Sequence, residues 1–400
     1  MLRGITWKHP RGYEPLAATA AAWRRECPGV AVTWRQLPWR RFEAAVLANH
    51  ARRTGRYDLL MLDHPWIGSL VKGGGLVPLD PFLRGGRRAE LARDVVGPST
   101  GSYRYGGRQW ALPVDASCHT LLYRKDLLPS GVGRIPGTWE GLLALAEAVH
   151  DPPRRYAFGN SFRGVQASCF FLTLLASLGA RPYEGSPAID PAKGRKALAL
   201  MRALLRYSHP ASTRWDPWHL MERVQIADDI GMVPATFGYV NYFRGRRCRL
   251  AVADVPRFRG FPPSRPIVGG VGLAIAARSP HREEAWRYLW FVMGRRSQCG
   301  IFPRHHGQPA RRSLWTDPRV HRATHGFYRG MLPNMERGYV RPTFPGYPRI
   351  ELEPGATVEA QLDGRMGEEA CLRRLEGIAR ACREEYRPRR GRSLRKGGTA

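Results

Sequence analysis

The sequence predicts an α/β architecture divided into two domains, and three observations carry that prediction. The chain has 400 residues, more than the roughly 250–300 at which one hydrophobic core stops growing. Its first stretch, residues 1–63, alternates strand-like and helix-like segments. Several segments are continuous apolar runs bounded by polar residues, as in strands buried on both faces beneath helices.

The elements follow in order. Leu2–Trp7 reads as a strand, and Tyr13–Cys27 as a helix with Leu16, Ala20 and Trp23 on one face. Val30–Gln36 is a second strand, Phe42–Arg53 a second helix, and Tyr57–Asp63 an apolar run typical of a central parallel strand. Gly107–Asp115 is extended, because Pro113 fixes its own φ and pushes Leu112 out of the helical region. The apolar run Thr120–Leu128 leads from a core strand toward a helix. Thr138 caps a helix that carries Trp139, Leu142, Leu143, Ala146 and Val149 on one face. Val165–Leu178 and Asp190–Tyr207 are further helices, the second with Asp190 as N-cap and Pro191 in its first turn. Leu250–Pro256 is a second extended run ended by proline, and Ile267–Ala276 a glycine-rich strand. Ser279-Pro280 precedes a helix through Ala285, Trp286, Leu289, Phe291 and Val292, and Arg373–Glu385 is the last helix. From Arg387 the chain is rich in Pro, Gly and Arg and reads as a disordered tail.

Composition narrows the class. Hydrophobic residues make up 43%, with 12 Trp, 15 Tyr and 14 Phe, which is ordinary for a globular protein. No apolar run approaches the roughly 18 residues of a membrane-spanning helix. The seven cysteines are scattered without metal-ligand spacing and read as free thiols. The net charge of +31 favours polyanions such as nucleic acid. Its arginines, however, are strewn along the chain, so a compositional origin stays open beside a polyanion-binding role. The exception is the tail, where residues 387–396 hold six cations and no acid. Residues 1–30 lack the pattern of a secretory signal. That leaves a mature or truncated chain, a misplaced start codon, or residence in the cytoplasm.

Motifs for catalysis are absent. There is no Gly-x-Ser-x-Gly and no P-loop, and Gly269–Gly272 runs into an apolar strand instead of a phosphate-binding helix. His305-His306, with His321 and His325, lacks the spacing of a metal site, and Asp228-Asp229 lacks a third ligand. No cofactor, metal or catalytic residue is therefore assigned. A binding site reads better. Polyhydroxylated ligands need flat aromatic faces for their C–H surfaces and polar side chains for their hydroxyls. Loops holding both are Trp7, His9, Arg11 and Tyr13; Asp63, His64 and Trp66; and Phe237, Tyr239, Asn241 and Tyr242. Trp218, Arg341 and Gln308 are weaker candidates, and Asp115 closes the extended Trp110–Asp115 segment.

Four segments, Gly4–Tyr13, Tyr57–Leu79, Trp110–Leu128 and Val268–Val292, together resemble bacterial extracellular solute-binding proteins of the maltose-binding type. The resemblance covers about residues 1–386. It implies a two-lobed periplasmic-binding-protein-like (type II) fold, each lobe a layered sheet with flanking helices, the chain crossing between them. Lobe 1 would comprise residues 1–112 and 256–306, and lobe 2 residues 113–255 and 307–386, followed by the 387–400 tail. Hinges would lie near Leu112–Asp115 and Ala253–Pro256. The implied function is delivery of a sugar, sugar acid or polyol to an ABC importer permease by a monomer in the periplasm or at the cell surface. Phe237–Tyr242 would hold the sugar-stacking aromatic of lobe 2, although Pro234 interrupts a strand that is usually smooth in the family. The alternatives are a cytoplasmic sensor or enzyme on the same scaffold, or a nucleic-acid-binding basic protein.

Overall fold

The computed structural model describes residues 1–48, 56–129, 134–185, 187–245 and 247–385. The 387–400 tail and the end of the helix expected to reach Arg53 lie outside the described residues.

Two five-stranded sheets form the two lobes; one buried cluster encloses the first sheet and continues onto Leu122, Val233 and Leu250 of the second, and a separate cluster around Trp139 and Phe171 packs on the second. In the first, β1 (Leu2–Trp7) lies between β2 (Val32–Leu37) and β3 (Leu59–Asp63), all parallel. Every residue of β3 is buried, as its unbroken apolar run requires. A two-stranded hairpin, β4 (Arg104–Tyr105) and β5 (Arg108–Gln109), precedes the short β6 (Leu112–Pro113). In the second lobe β7 (Ser117–Arg124) is central. It pairs antiparallel with β9 (Ile230–Phe237), β10 (Leu250–Ala253) and β11 (Val268–Gly269), while β8 (Tyr156–Phe158) runs parallel to β9. Finally β12 (Val271–Ile275) returns to the first sheet, antiparallel to both β3 and β6. Pro234 lies inside β9, next to a register irregularity between β7 and β9. All seven cysteines are free.

The chain crosses between lobes at places the sequence only half discloses. At the first, β6 ends at Pro113 in one sheet and β7 starts at Ser117 in the other. The second is not at 253–256. There β10 is merely an edge strand of the second sheet, and Pro256 ends it without sending the chain across. The Ile267–Ala276 run is instead two strands in different sheets, separated by the single residue Gly270. Gly270 has φ +108°, and a Cβ there would stand 2.5 Å from the Asp115 carbonyl oxygen. Only glycine fits at this point. The backbone N–H groups of Val114 and Asp115 both donate to the Val271 carbonyl, at 3.2 and 3.1 Å, so the two crossings lie side by side.

These positions shift the lobe boundaries. Residues 256–269, expected in lobe 1, belong with the second sheet, where Phe258 and Ile267 share a core with Trp139. Residues 307–315, expected in lobe 2, stay with the first. Ala310 accepts from the Val96 N–H, and buried Arg311 donates to the Met293 carbonyl and pairs with Glu90 and Asp94. The third crossing follows, before the Phe327–Glu336 helix, which packs on β7 and β10.

The first helix starts at Pro10, three residues earlier than expected, because His9 caps it: its Nδ1 accepts from the Arg11 N–H at 3.1 Å. That shift places Arg11 at a helix start aimed at the junction between lobes.

Replacing Gly270 with alanine should lower stability by about 1–3 kcal/mol, the range for a residue forced into strained backbone. Gly137→Ala, at a position with open space around it, should change it by only a few tenths of a kcal/mol. Urea unfolding of the two variants checks the difference.

Candidate ligand cleft

A cavity of about 580 Å³ lies between the lobes. From the first lobe it is lined by Trp7 and Asp63, the last residues of β1 and β3, and by the start of the Trp39–Ala48 helix. Carboxyl ends of parallel strands are the usual place for a ligand in such sheets. From the second lobe come Phe237 at the end of β9, Tyr239 beyond it, and Asp216–Trp218 and Arg163–Gln166 at two helix starts. Arg341 and Glu351 complete that side.

The apolar walls are aromatic and braced against one another. The Trp7 ring lies edge-on to Trp39 at 5.3 Å and to Trp218 at 6.3 Å, and Trp39 tilts against Trp66 at 5.7 Å. Trp39 belongs to the first lobe and Trp218 to the second, so rings face the cavity from both sides. The Trp7 indole N–H is buried without a partner.

Two ion-pair groups set the electrostatics. Arg11 forks onto Asp115, its Nε 2.7 Å from Oδ2 and its Nη2 2.5 Å from Oδ1. It also donates to the Gly238 carbonyl at 3.3 Å and lies 4.9 Å from the Tyr239 ring centroid, touching the first lobe, the crossing and the second lobe at once. Burial pushes the Asp115 carboxyl above its ordinary range, and Arg11 pulls it back.

Arg341 does the same deeper in the cleft. Its Nη2 reaches both Asp63 oxygens, at 3.0 and 2.9 Å, and its Nη1 donates to Glu351. Asp63 belongs to the first lobe, while Arg341 and Glu351 belong to the second, so the trio spans the cleft. The same seam is tightened nearby: the Gly346 N–H donates to Ser69 Oγ at 2.9 Å, and a Cβ on Gly68 would strike the Thr343 carbonyl. Burial alone would raise the Asp63 carboxyl, yet Arg341 outweighs it and holds Asp63 below its usual range. Glu351 receives the lesser share, and burial, with Asp63 and Glu43 nearby, raises it. Glu43, half-buried on the cavity wall, is raised to about 7 by burial and by Asp63, with Arg40 opposing.

Nine of the fifteen candidate residues line the cavity: Trp7, Arg11, Asp63, Trp66, Asp115, Trp218, Phe237, Tyr239 and Arg341. The other six lie behind it. His9 stacks on Trp7 at 4.5 Å as a helix cap, and burial lowers its pKa to about 4, which keeps the accepting nitrogen unprotonated. Tyr13, half-buried, lies within the first helix and away from the lining. His64 is fully buried edge-on to Tyr103, 3.3 Å from Asp63 but outside hydrogen-bond geometry, and burial lowers its pKa. Asn241 sits in the Val240–Phe243 turn, and Tyr242 backs Tyr239 edge-on at 6.3 Å. Gln308 is fully buried and acts as a clip: it donates to the Ala116 carbonyl at 2.8 Å and accepts from the Val240 N–H at 2.9 Å. Sequence reasoning missed Trp39, Glu43, Gln166 and Glu351. Pro38-Trp39 just after a strand is the same signal that marked Trp66, whereas Glu351 shares an ordinary charged helix segment with Arg349 and Glu353 and carries no signal.

A family model of bacterial extracellular solute-binding proteins matches residues 7–298. A putative binding protein of Brucella abortus (strain 2308) is 23% identical over 283 residues, covering 68% of this chain and 66% of the relative, just short of two thirds of its length. Among solved structures, an ABC transporter solute-binding protein from Agrobacterium radiobacter K84 in complex with ribitol superposes with TM-score 0.82. It is 24% identical and the match covers 95% of this chain and 98% of that one. Maltose-bound MalE3 of T. maritima gives 0.82 at 20% identity, covering 96% and 99%. A solute-binding protein from Agrobacterium vitis S4 with bound D-mannitol gives 0.77 at 18%, covering 96% and 98%. At these identities the likenesses establish the two-lobed fold.

Arg341→Gln strands two buried carboxylates and should destabilise the protein by about 3–5 kcal/mol in urea unfolding. Adding Asp63→Asn and Glu351→Gln should recover most of that loss. The raised Glu43 pKa means the folded state holds a proton that the unfolded chain has released. Its contribution to stability is complete below pH 4.5 and gone above about 7. Melting temperatures of wild type and Glu43→Gln should therefore diverge across that window, with wild type losing more as the pH rises.

Proposed function

The chain belongs to the bacterial extracellular solute-binding protein family, and we propose that it captures a neutral polyhydroxylated solute, a sugar or polyol, between its lobes. The observation that carries this reading is the combination of aromatic walls from both lobes with charges already matched to one another. Five arginines line the cleft (Arg11, Arg40, Arg41, Arg163 and Arg341) against five carboxylates (Glu43, Asp63, Asp115, Asp216 and Glu351). The most buried of these, around Arg11 and Arg341, pair internally. A charged ligand drawn to Arg11 or Arg341 would have to break those pairs, whereas a hydroxylated one can hydrogen-bond to their remaining lone pairs and stack on the rings. The +31 charge of the chain is therefore not a property of its cleft.

Ribitol, maltose and D-mannitol are what the three similar proteins hold, and a cavity of about 580 Å³ suits ligands of that size. No bond is made or broken in this function. The lobes rotate about the paired crossings, and solute contacts from both sides favour the closed arrangement. Delivery to the permease of an ABC importer, outside the cytoplasmic membrane, completes the role proposed here. The described helices include none long and apolar enough to cross a membrane.

A thermal-shift screen over ribitol, D-mannitol, tagatose and maltose, with sugar acids alongside, tests the reading. A true ligand at 100 times its Kd adds about 2.7 kcal/mol of stability. Stabilisation by a sugar acid in preference to every neutral compound would overturn it. Trp39→Ala and Trp218→Ala, at half-buried rings on opposite walls, should each weaken binding by about tenfold or more in calorimetry while largely preserving the unliganded melting temperature. Trp7 and Tyr239, only 6% and 9% exposed, should lose stability together with binding.

A further inference from the structure

The charge that the cleft does not use gathers elsewhere. On the outer side of the first lobe, a groove of about 610 Å³ runs between the Pro10–Glu26 helix and the turns Arg296–Ile301 and Phe302–His305. Arg25, Arg295, Arg296, Arg304 and His305 line it, and no carboxylate does. Its floor includes Ala18 and Ala22, one helical turn apart, whose small side chains leave the space open. The Arg296–Ile301 turn is π-helical, an uncommon winding that recurs at functional sites.

Neutralisation here is incomplete. Arg296 meets Glu26 at the rim. Arg295 is 3.7 Å from Asp94, but Asp94 also accepts from buried Arg311 at 3.4 Å and from Ser313. Arg25 and Arg304 have no carboxylate within ion-pair distance among the described residues. Elsewhere many arginines, exposed ones included, are matched with acids, as Arg349 is with Glu353 and Glu385. Four guanidiniums around one concavity repel each other, and a bound anion relieves that repulsion. Their forked donors fit phosphate oxygens two at a time.

We infer that this groove is a binding site for an anion carrying two or more linked phosphate groups. Its size and four forks exceed what one phosphate can satisfy. The same chemistry is offered by a soluble polyphosphate compound and by a membrane lipid whose headgroup joins two phosphates. The site is separate from the cleft and does not depend on what the cleft holds.

Calorimetry with tripolyphosphate, and cosedimentation with cardiolipin-containing vesicles against phosphatidylcholine ones, test the inference on the full chain. The comparison is between wild type, an Arg25→Ser/Arg304→Ser variant, and an Arg93→Ser/Arg108→Ser variant that removes two charges outside the groove. Saturable one-to-one binding of tripolyphosphate, weakened about tenfold or more only in the first variant and steeply reduced between about 50 and 200 mM salt, supports a soluble ligand. The same dependence seen only with anionic vesicles supports the headgroup source. Equal weakening in both variants, or no binding of either probe by wild type, overturns the site and leaves a diffuse surface charge. Unchanged melting temperatures show that both variants are folded.

Discussion

The Arg11–Asp115 pair is the contact on which the geometry of the cleft turns. Asp115 lies on the first crossing, its N–H bound to the second crossing at Val271 and its carboxylate forked onto a residue that opens the first helix. Arg11 in turn reaches Gly238 and Tyr239 in the second lobe. One buried ion pair thus fixes where two crossings, one helix start and the Gly238–Tyr239 loop stand relative to each other. Gln308, still in the first lobe, reinforces the same point by tying Ala116 to Val240. Such a pair has high stakes, since either partner alone would be a buried, uncompensated charge.

The acids of the cleft show how position divides a single cation. Arg341 serves both Asp63 and Glu351, and Glu43 adds a third acid close enough to act on both of them. Asp63, which both Arg341 and the neighbouring His64 favour as an anion, is held low, and the shortfall appears on Glu351 and Glu43, both raised. Around Arg341 alone, then, one cation faces three acids, and the surplus is met by raised carboxyls and not solely by pairing. Protonated carboxyls can donate as well as accept, which suits hydroxyl groups.

Much of this was legible in the sequence where a pattern is local. Strands such as Leu59–Asp63 announce themselves by an unbroken apolar run, and loops after β1 and β3 by aromatics beside proline. The misplaced second crossing shows the limit. Pro256 is a strong local signal for the end of a strand, but whether a chain then changes sheets depends on pairing partners far away in sequence. Gly270 looked like one glycine within a continuous strand, and only its contact with the Asp115 carbonyl explains why it is there. His64 and Gln308 were read as ligand contacts because polar residues near a cleft resemble one another in sequence. Burial sorted them, turning one toward Tyr103 and the other into a clip between backbone segments. Glu351 had no such signal, because its partner Arg341 lies ten residues away and Asp63 in the other lobe.

The reach of Arg341 across the seam has a consequence for how the lobes come apart. Asp63, Arg341 and Glu351, with Ser69 and Gly346 beside them, join the lobes using the protein's own atoms. Parting the jaws therefore means separating buried charges as well as letting go of whatever lies between them. The seam sets a floor under the work of opening, and contacts to a solute add to it.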